Sequence, residues 1–150
     1  MKIYLAAAYS QLAETREKAK ELESIGLECT SRWLKETAPP NCTMTDFTDS
    51  YLLSTAIVDI EDILAADVTV LFTTDEPLPR GGRHFESGFA YGRGRKLMTV
   101  GPIENIFHFL PDTVHFEKWE DAKCFLLAEK YKRGPIDHRT ARAAISHANL

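Results

Sequence analysis

Apolar and polar positions alternate in blocks that read as strands and helices in turn. Ile3-Tyr4-Leu5-Ala6-Ala7-Ala8 is apolar throughout, the pattern of a strand covered on both faces. Ser10 is placed to cap a first helix, whose stripe of Leu12, Thr15, Ala19 and Leu22 ends at Gly26. Leu27 to Trp33 reads as a second strand. Ala38 to Thr45, holding Pro39, Pro40 and Asn41, reads as a loop able to cover a pocket. A helix is expected from about Asp49 to Ala66, then a buried strand from Asp67 to Thr73. Gly81 and Gly82 permit a tight turn, after which Phe85, Gly88, Phe89 and Gly92 recur at helical spacing. The small residues in that stripe suit close packing, and Gly92-Arg93-Gly94 reads as a helix stop. Arg95 to Gly101 is the next strand and Thr113 to Phe116 a short last one. A helix over Glu117 to Lys132 should turn Trp119, Ala122, Phe125 and Leu126 inward.

Strands alternating with helices predict a single α/β domain, residues 1–133. It should be doubly wound and flavodoxin- or Rossmann-like, a parallel sheet of about five strands with helices on both faces. Residues 134–150, beyond Gly134-Pro135, form a basic, alanine-rich tail or short helix. No internal repeat is present.

In such sheets ligands bind at the carboxyl edge of the strands, and three positions should meet there. Glu86 follows the third strand and is expected in the first turn of a helix, whose dipole would keep its carboxylate ionised. Spacing alone leaves two readings, a nucleophile or an ordinary acidic residue of a helix start. Tyr4 lies in the first strand. Asp59 falls between Leu52 and Ile63 on a helical wheel, at the margin of the apolar stripe, whereas Asp62 points away. It is either a solvated boundary residue or a group aimed into a pocket. Arg80, Arg83 and His84 flank Glu86; they could hold an anionic group such as a phosphate or pair with surface carboxylates.

Composition narrows the class. The 150 residues are 44% hydrophobic and 27% charged, ordinary values for a globular chain. A net charge of −4 excludes a protein that coats nucleic acid. No apolar run approaches a membrane span, and the N-terminus lacks a signal-peptide pattern, so a cytoplasmic location is expected. Cys29, Cys42 and Cys124 are odd in number without metal-type spacing, as thiols in a reducing compartment would be. The histidines at 108, 115, 138 and 147 also lack ligand spacing. Trp33, Trp119, Phe107 and Phe109 read as core or interface residues.

Three segments resemble the nucleoside 2-deoxyribosyltransferase family, which includes the related 2'-deoxynucleoside 5'-monophosphate N-hydrolases. They are Lys2 to Ser10, Asp59-x-x-Asp62-Ile63-x-Ala65-Ala66-Asp67-x-x-Val70, and Gly82-Arg83-His84-Phe85-Glu86-Ser87-Gly88-Phe89-Ala90-x-x-x-Gly94-Arg95-Lys96. The similarity spans about residues 2 to 120, and phage and bacterial members also resemble it at Ser31-Arg32-Trp33 and Gly101-Pro102-x-Glu104-Asn105-x-Phe107-His108. The resemblance implies that Glu86 attacks an anomeric carbon, that Asp59 belongs to the active site and that Tyr4 hydrogen-bonds near the nucleophile. It places Tyr9 against the nucleobase; Ser10, Arg80, Gly82 and Arg83 are further candidate substrate contacts beside these positions. It further implies a homodimer or dimer-based oligomer in which a neighbour's Asn105 and His108 complete the site, and no cofactor.

The chain departs from the hydrolases, which carry a Gly-Ser-x-Arg-Gly-Gly loop where it has Ala7-Ala8-Tyr9-Ser10-Gln11-Leu12. It departs from the transferases too, which have an acidic residue near Arg80. The leading expectation is cleavage of an N-glycosidic bond through a covalent glycosyl-Glu86, as 2-deoxyribosyl transfer between bases. N-glycosidic hydrolysis of a nucleoside 5'-monophosphate is the alternative. A non-catalytic nucleotide-binding or sensor module is a third reading, although a binder needs no nucleophile.

Overall fold

The computed structural model describes residues 1–37, 42–76 and 81–133. Arg80, the tail 134–150 and residues 38–41 of the expected loop lie outside the described residues.

Five parallel strands form one sheet: β1 (Lys2–Ala6), β2 (Glu28–Cys29), β3 (Val68–Phe72), β4 (Lys96–Val100) and β5 (Thr113–Phe116). Their spatial order is β2-β1-β3-β4-β5, the doubly wound order of flavodoxin-like folds. Register pairs Tyr4 with Thr69 and Thr69 with Leu97. Every residue of β3 is buried, which is why its sequence lacks a polar face. Four helices cover the sheet: α1 (Leu12–Ser24), α2 (Asp49–Ala65), α3 (Gly82–Gly92) and α4 (Trp119–Arg133). Glu21 of α1 accepts from the Trp119 indole and the Lys123 ammonium of α4, so these two helices are neighbours on one face. α2 and α3 contact each other on the other face. Ile3, Leu5, Leu22, Ile63, Val70, Met98 and Leu126 fill the core between.

Two local expectations are corrected. Ser10 does not cap α1; it lies in a 3-10 turn over Tyr9–Gln11, and Gln11 is the residue before Leu12. The Gln11 side chain instead accepts from the Ala8 N–H at 3.2 Å, tightening the exit from β1. The second strand stops at Cys29 rather than reaching Trp33, which sits in a 3-10 turn over Arg32–Lys35. Side chains replace the ladder there. The Ser31 hydroxyl bonds both the N–H and the C=O of Leu5, and the Trp33 indole donates to the same carbonyl at 2.8 Å.

The edge beyond β3 and β4 is equally tight. Gly101 has φ of 114° and donates to the Phe116 carbonyl at 2.9 Å. A Cβ there would lie 2.6 Å from Thr73 Oγ1 and 2.7 Å from the Thr73 carbonyl oxygen. Gly101→Ala is expected to lower stability by about 1–3 kcal/mol, the scale of a strained backbone position. An unchanged urea midpoint would show that the edge relaxes freely.

Candidate active site

A cavity of about 450 Å³ opens at the carboxyl ends of β1 and β3, where the strand order reverses. Three elements deliver its acids. Tyr4 projects from the interior of β1, completely buried, and its hydroxyl donates to Glu86 Oε1 at 2.9 Å. Glu86 comes from α3 and Asp59 from α2. Both carboxyls line the cavity.

Glu86 is the fifth residue of a helix that begins at Gly82, so it stands in the second turn rather than the first. The expectation that the helix dipole keeps it ionised is reversed. Burial raises its pKa to about 8, with the Asp59 charge adding to the rise and the Tyr4 hydrogen bond opposing it. Burial likewise lifts Asp59 to about 7, helped by the charges of Glu36 and Asp62 and opposed by Arg32. Asp59 Oδ1 is buried and without a hydrogen-bond partner among the described residues. Burial and the charges of Glu86 and Asp59 hold the Tyr4 phenol far above its usual range, so it serves only as a donor.

Asp62 does not point away. It is 5% exposed and accepts from the Arg32 backbone N–H at 2.8 Å and from Arg32 Nε at 2.7 Å. It thereby anchors the turn that carries Trp33 and Glu36 into the cavity wall. The stripe expected to pack α3 does so only at Phe89, which is partly buried against the core: Phe85 is 65% exposed, and nothing lies within 4 Å of a Cβ built on Gly88 or Gly92. Phe85 stacks on Phe89 at the surface.

Arg83 lines the cavity beside Glu86, and its charge is already met. Arg83 Nη2 donates to Glu104 Oε1 at 2.6 Å, and that oxygen also accepts from the Thr74 N–H at 3.0 Å. Glu104 Oε2 lies 3.4 Å from His84 Nε2. The partner of Arg83 is thus a largely buried carboxylate rather than a surface one. Tyr9, Ser10 and Gly82 line the cavity as expected. Asn105 and His108 do not. Asn105 caps the Ile106–Phe109 turn through the Phe107 N–H, and His108 is buried with neither ring nitrogen bonded. Ile106, Phe107 and Phe109 around them are exposed.

The cavity also has walls that the sequence did not single out, Glu36, Phe47, Tyr51 and Thr55, together with Trp33, read there as core or interface, and Cys42, read as a thiol without a site role. Phe47 and Tyr51 stack with ring centres 5.0 Å apart. Their spacing of four residues across the Thr48 cap was the available signal. No group of metal-ligating side chains is found among the described residues. Nor is any helix there long and apolar enough to cross a membrane.

No protein-family model and no curated protein matches the chain. Solved structures do. A 2-deoxyribosyltransferase from Bacillus psychrosaccharolyticus superposes with a TM-score of 0.64 at 24% identity, over 82% of this chain and 90% of that one. A 2-deoxyribosyltransferase from Leishmania mexicana gives 0.57 at 16% identity, over 85% and 97% of the two chains. The CMP N-glycosidase BcmB of Clostridium botulinum gives 0.53 at 17%, over 84% and 98%. The chain shares the fold of these enzymes. The resemblance read from the sequence and the likeness of fold point the same way.

Burial of Glu86 has a thermodynamic consequence. Its pKa is higher folded than unfolded, so the neutral acid's contribution to stability is complete below about 4.5 and is lost as pH rises through about 8. Glu86→Gln, permanently neutral, should match the wild type near pH 4. At pH 9 it should be the more stable protein, by on the order of 5 kcal/mol. Parallel melting curves across that range would contradict the buried-acid assignment.

Proposed function

We propose that this protein cleaves the N-glycosidic bond of a deoxynucleoside and transfers the 2-deoxyribosyl group to a second nucleobase through a covalent ester on Glu86. The observation that carries this reading is the Tyr4–Glu86 hydrogen bond inside a cavity that also holds Asp59. A Glu86 carboxylate oxygen attacks C1' of the sugar, the C–N bond breaks, and its electron pair leaves with the base. Asp59 gives its proton to the departing base, and Tyr4, donating to Oε1, holds the carboxylate in orientation while its other oxygen forms the bond to C1'. A second base then attacks C1', displaces Glu86 and returns a proton to Asp59. Water in that step would give hydrolysis. Developing positive charge on the sugar is what a desolvated carboxylate stabilises best.

Hydrolysis of a nucleoside 5'-monophosphate is the second reading, favoured by the fold shared with BcmB and by Arg83 beside Glu86. The Glu104 carboxylate against Arg83 Nη2 weighs toward the uncharged substrate, because it already balances that charge, although Arg83 Nε has no partner among the described residues. The exposed Ile106, Phe107 and Phe109 support a dimer through this segment, which would bring each copy's Asn105 toward the other's cavity; His108, buried in the single chain, would have to turn outward to join it.

Incubation with deoxynucleosides, with 5'-monophosphates and with free acceptor bases separates these readings. New nucleosides mean transfer, and free base without exchange means hydrolysis. Glu86→Gln should abolish turnover of whichever substrate is cleaved; a wild-type rate would remove the covalent step. The productive state has Glu86 ionised and Asp59 protonated, and the two acids titrate as a pair. Hence kcat/KM should follow a bell, failing on the acid side as Glu86 gains its proton and on the alkaline side as Asp59 loses its own. Its top should fall between about 7 and about 8, and a profile flat from pH 5 to pH 9 would exclude the pair. Sedimentation at micromolar protein tests the dimer, and a fully active monomer would move Asn105 and His108 out of the site.

A further inference from the structure

The cavity holds a third acid that the reaction above leaves unused. Glu36 follows the Arg32–Lys35 turn and lines the same cavity as Asp59 and Glu86. Its backbone is clamped from several sides. The Glu36 N–H donates to the Trp33 carbonyl at 3.1 Å, and the Arg16 guanidinium bonds the carbonyls of Leu34 and Glu36. Trp33 is in turn tied to Leu5, and Arg32 to Asp62. Arg16 thus spends its donors on carbonyls, leaving the Glu36 carboxyl without its charge. Burial alone raises the pKa of that carboxyl; no hydrogen bond lowers it.

The two ends of the cavity differ. Gly82, Arg83 and Glu86 form one end, where the reacting sugar carbon must lie. Tyr9, Phe47 and Tyr51 bring flat rings to a wall that also holds Glu36, whose charge acts on Tyr9 and on Asp59. A base packed among those rings meets a carboxylate at its edge. We propose that Glu36 selects nucleobases that carry an exocyclic amino group. This rests on the nucleoside reading of the site. An amino N–H donates to a carboxylate, the pairing Glu and Asp make with the cytosine amino group in nucleic-acid recognition. A carbonyl at the same position would face a second acceptor in a poorly solvated wall, leaving both without a proton between them.

Adenine against hypoxanthine and cytosine against uracil are matched pairs, differing at the position where amino becomes oxo. Calorimetric titration of the whole protein with each free base reads selection without requiring turnover. The wild type should bind adenine and cytosine about tenfold or more tightly than their oxo partners, the scale of one charged hydrogen bond. Glu36→Gln offers both a donor and an acceptor, so the ratio should fall to within about threefold, through weaker binding of the amino bases. Should Glu36→Gln not fold, judged by its circular dichroism, Glu36→Ala should show the same collapse. An undiminished ratio in either variant, no preference in the wild type, or no binding of any base would overturn the proposal. A Glu36-dependent preference without cleavage of any nucleoside would sink the transferase reading and leave this one standing. Glu86-dependent cleavage with a ratio indifferent to Glu36 would do the reverse.

Discussion

The hydrogen bond from the Tyr4 hydroxyl to Glu86 spans 82 residues of sequence and joins the interior of β1 to α3. In water such a bond would contribute little, since both groups would find other partners. At this sheet edge it is, among the described residues, the one hydrogen bond that the Glu86 carboxyl receives, and it works against burial rather than overcoming it. The acid is therefore held in a state intermediate between buried and solvated. It is neutral enough to reside there and is ready to ionise when positive charge appears beside it. Position and proton affinity come from the same contact.

Crowding of acids is the second constraint. Glu36, Asp59 and Glu86 share one cavity, and Asp62 stands behind it. Each ionisation makes the next harder, so the cavity favours a mixture of protonated and ionised groups over a uniform charge. The neighbouring cations are engaged elsewhere. Arg32 is bound by Asp62 and Glu61, Arg83 by Glu104, and Arg16 by main-chain oxygens. That diversion of cations is what leaves Asp59 and Glu86 free to titrate near neutrality.

Much of the fold was legible in the sequence because parallel strands covered on both faces must be apolar along their length. β1, β3 and β4 follow that rule, whereas β5, a half-buried edge strand of Thr113-Val114-His115-Phe116, departs from it. β2 does not, because it ends where Ser31 and Trp33 take over the hydrogen bonds of Leu5, and an apolar pattern carries no record of side chains bonding a neighbouring main chain. Tyr4, Asp59 and Glu86 could be brought together on paper because strand ends and helix starts meet at one edge. Their proton affinities could not, since these depend on burial depth. Asp62 was placed outward because a helical wheel weighs only its own helix, and Arg32, which draws it in, belongs to another segment. Glu36 was invisible for a related reason: its place follows from the early end of a strand.

The division of labour along the chain has a temporal side. Residues 4, 59 and 86 all precede β4, while β4, β5 and α4 add no side chain to the cavity. Yet β3 lies between β1 and β4 in the sheet and would be an open edge without them. As a nascent chain emerges, the reactive groups exist before the strands that seal their support, and parallel pairings of long sequence separation form slowly. Until the later strands dock, an exposed β3 edge is open to pairing with other chains. The second half of this protein thus completes the sheet that supports the cavity without lining it, and the wall and its foundation come from different parts of the chain.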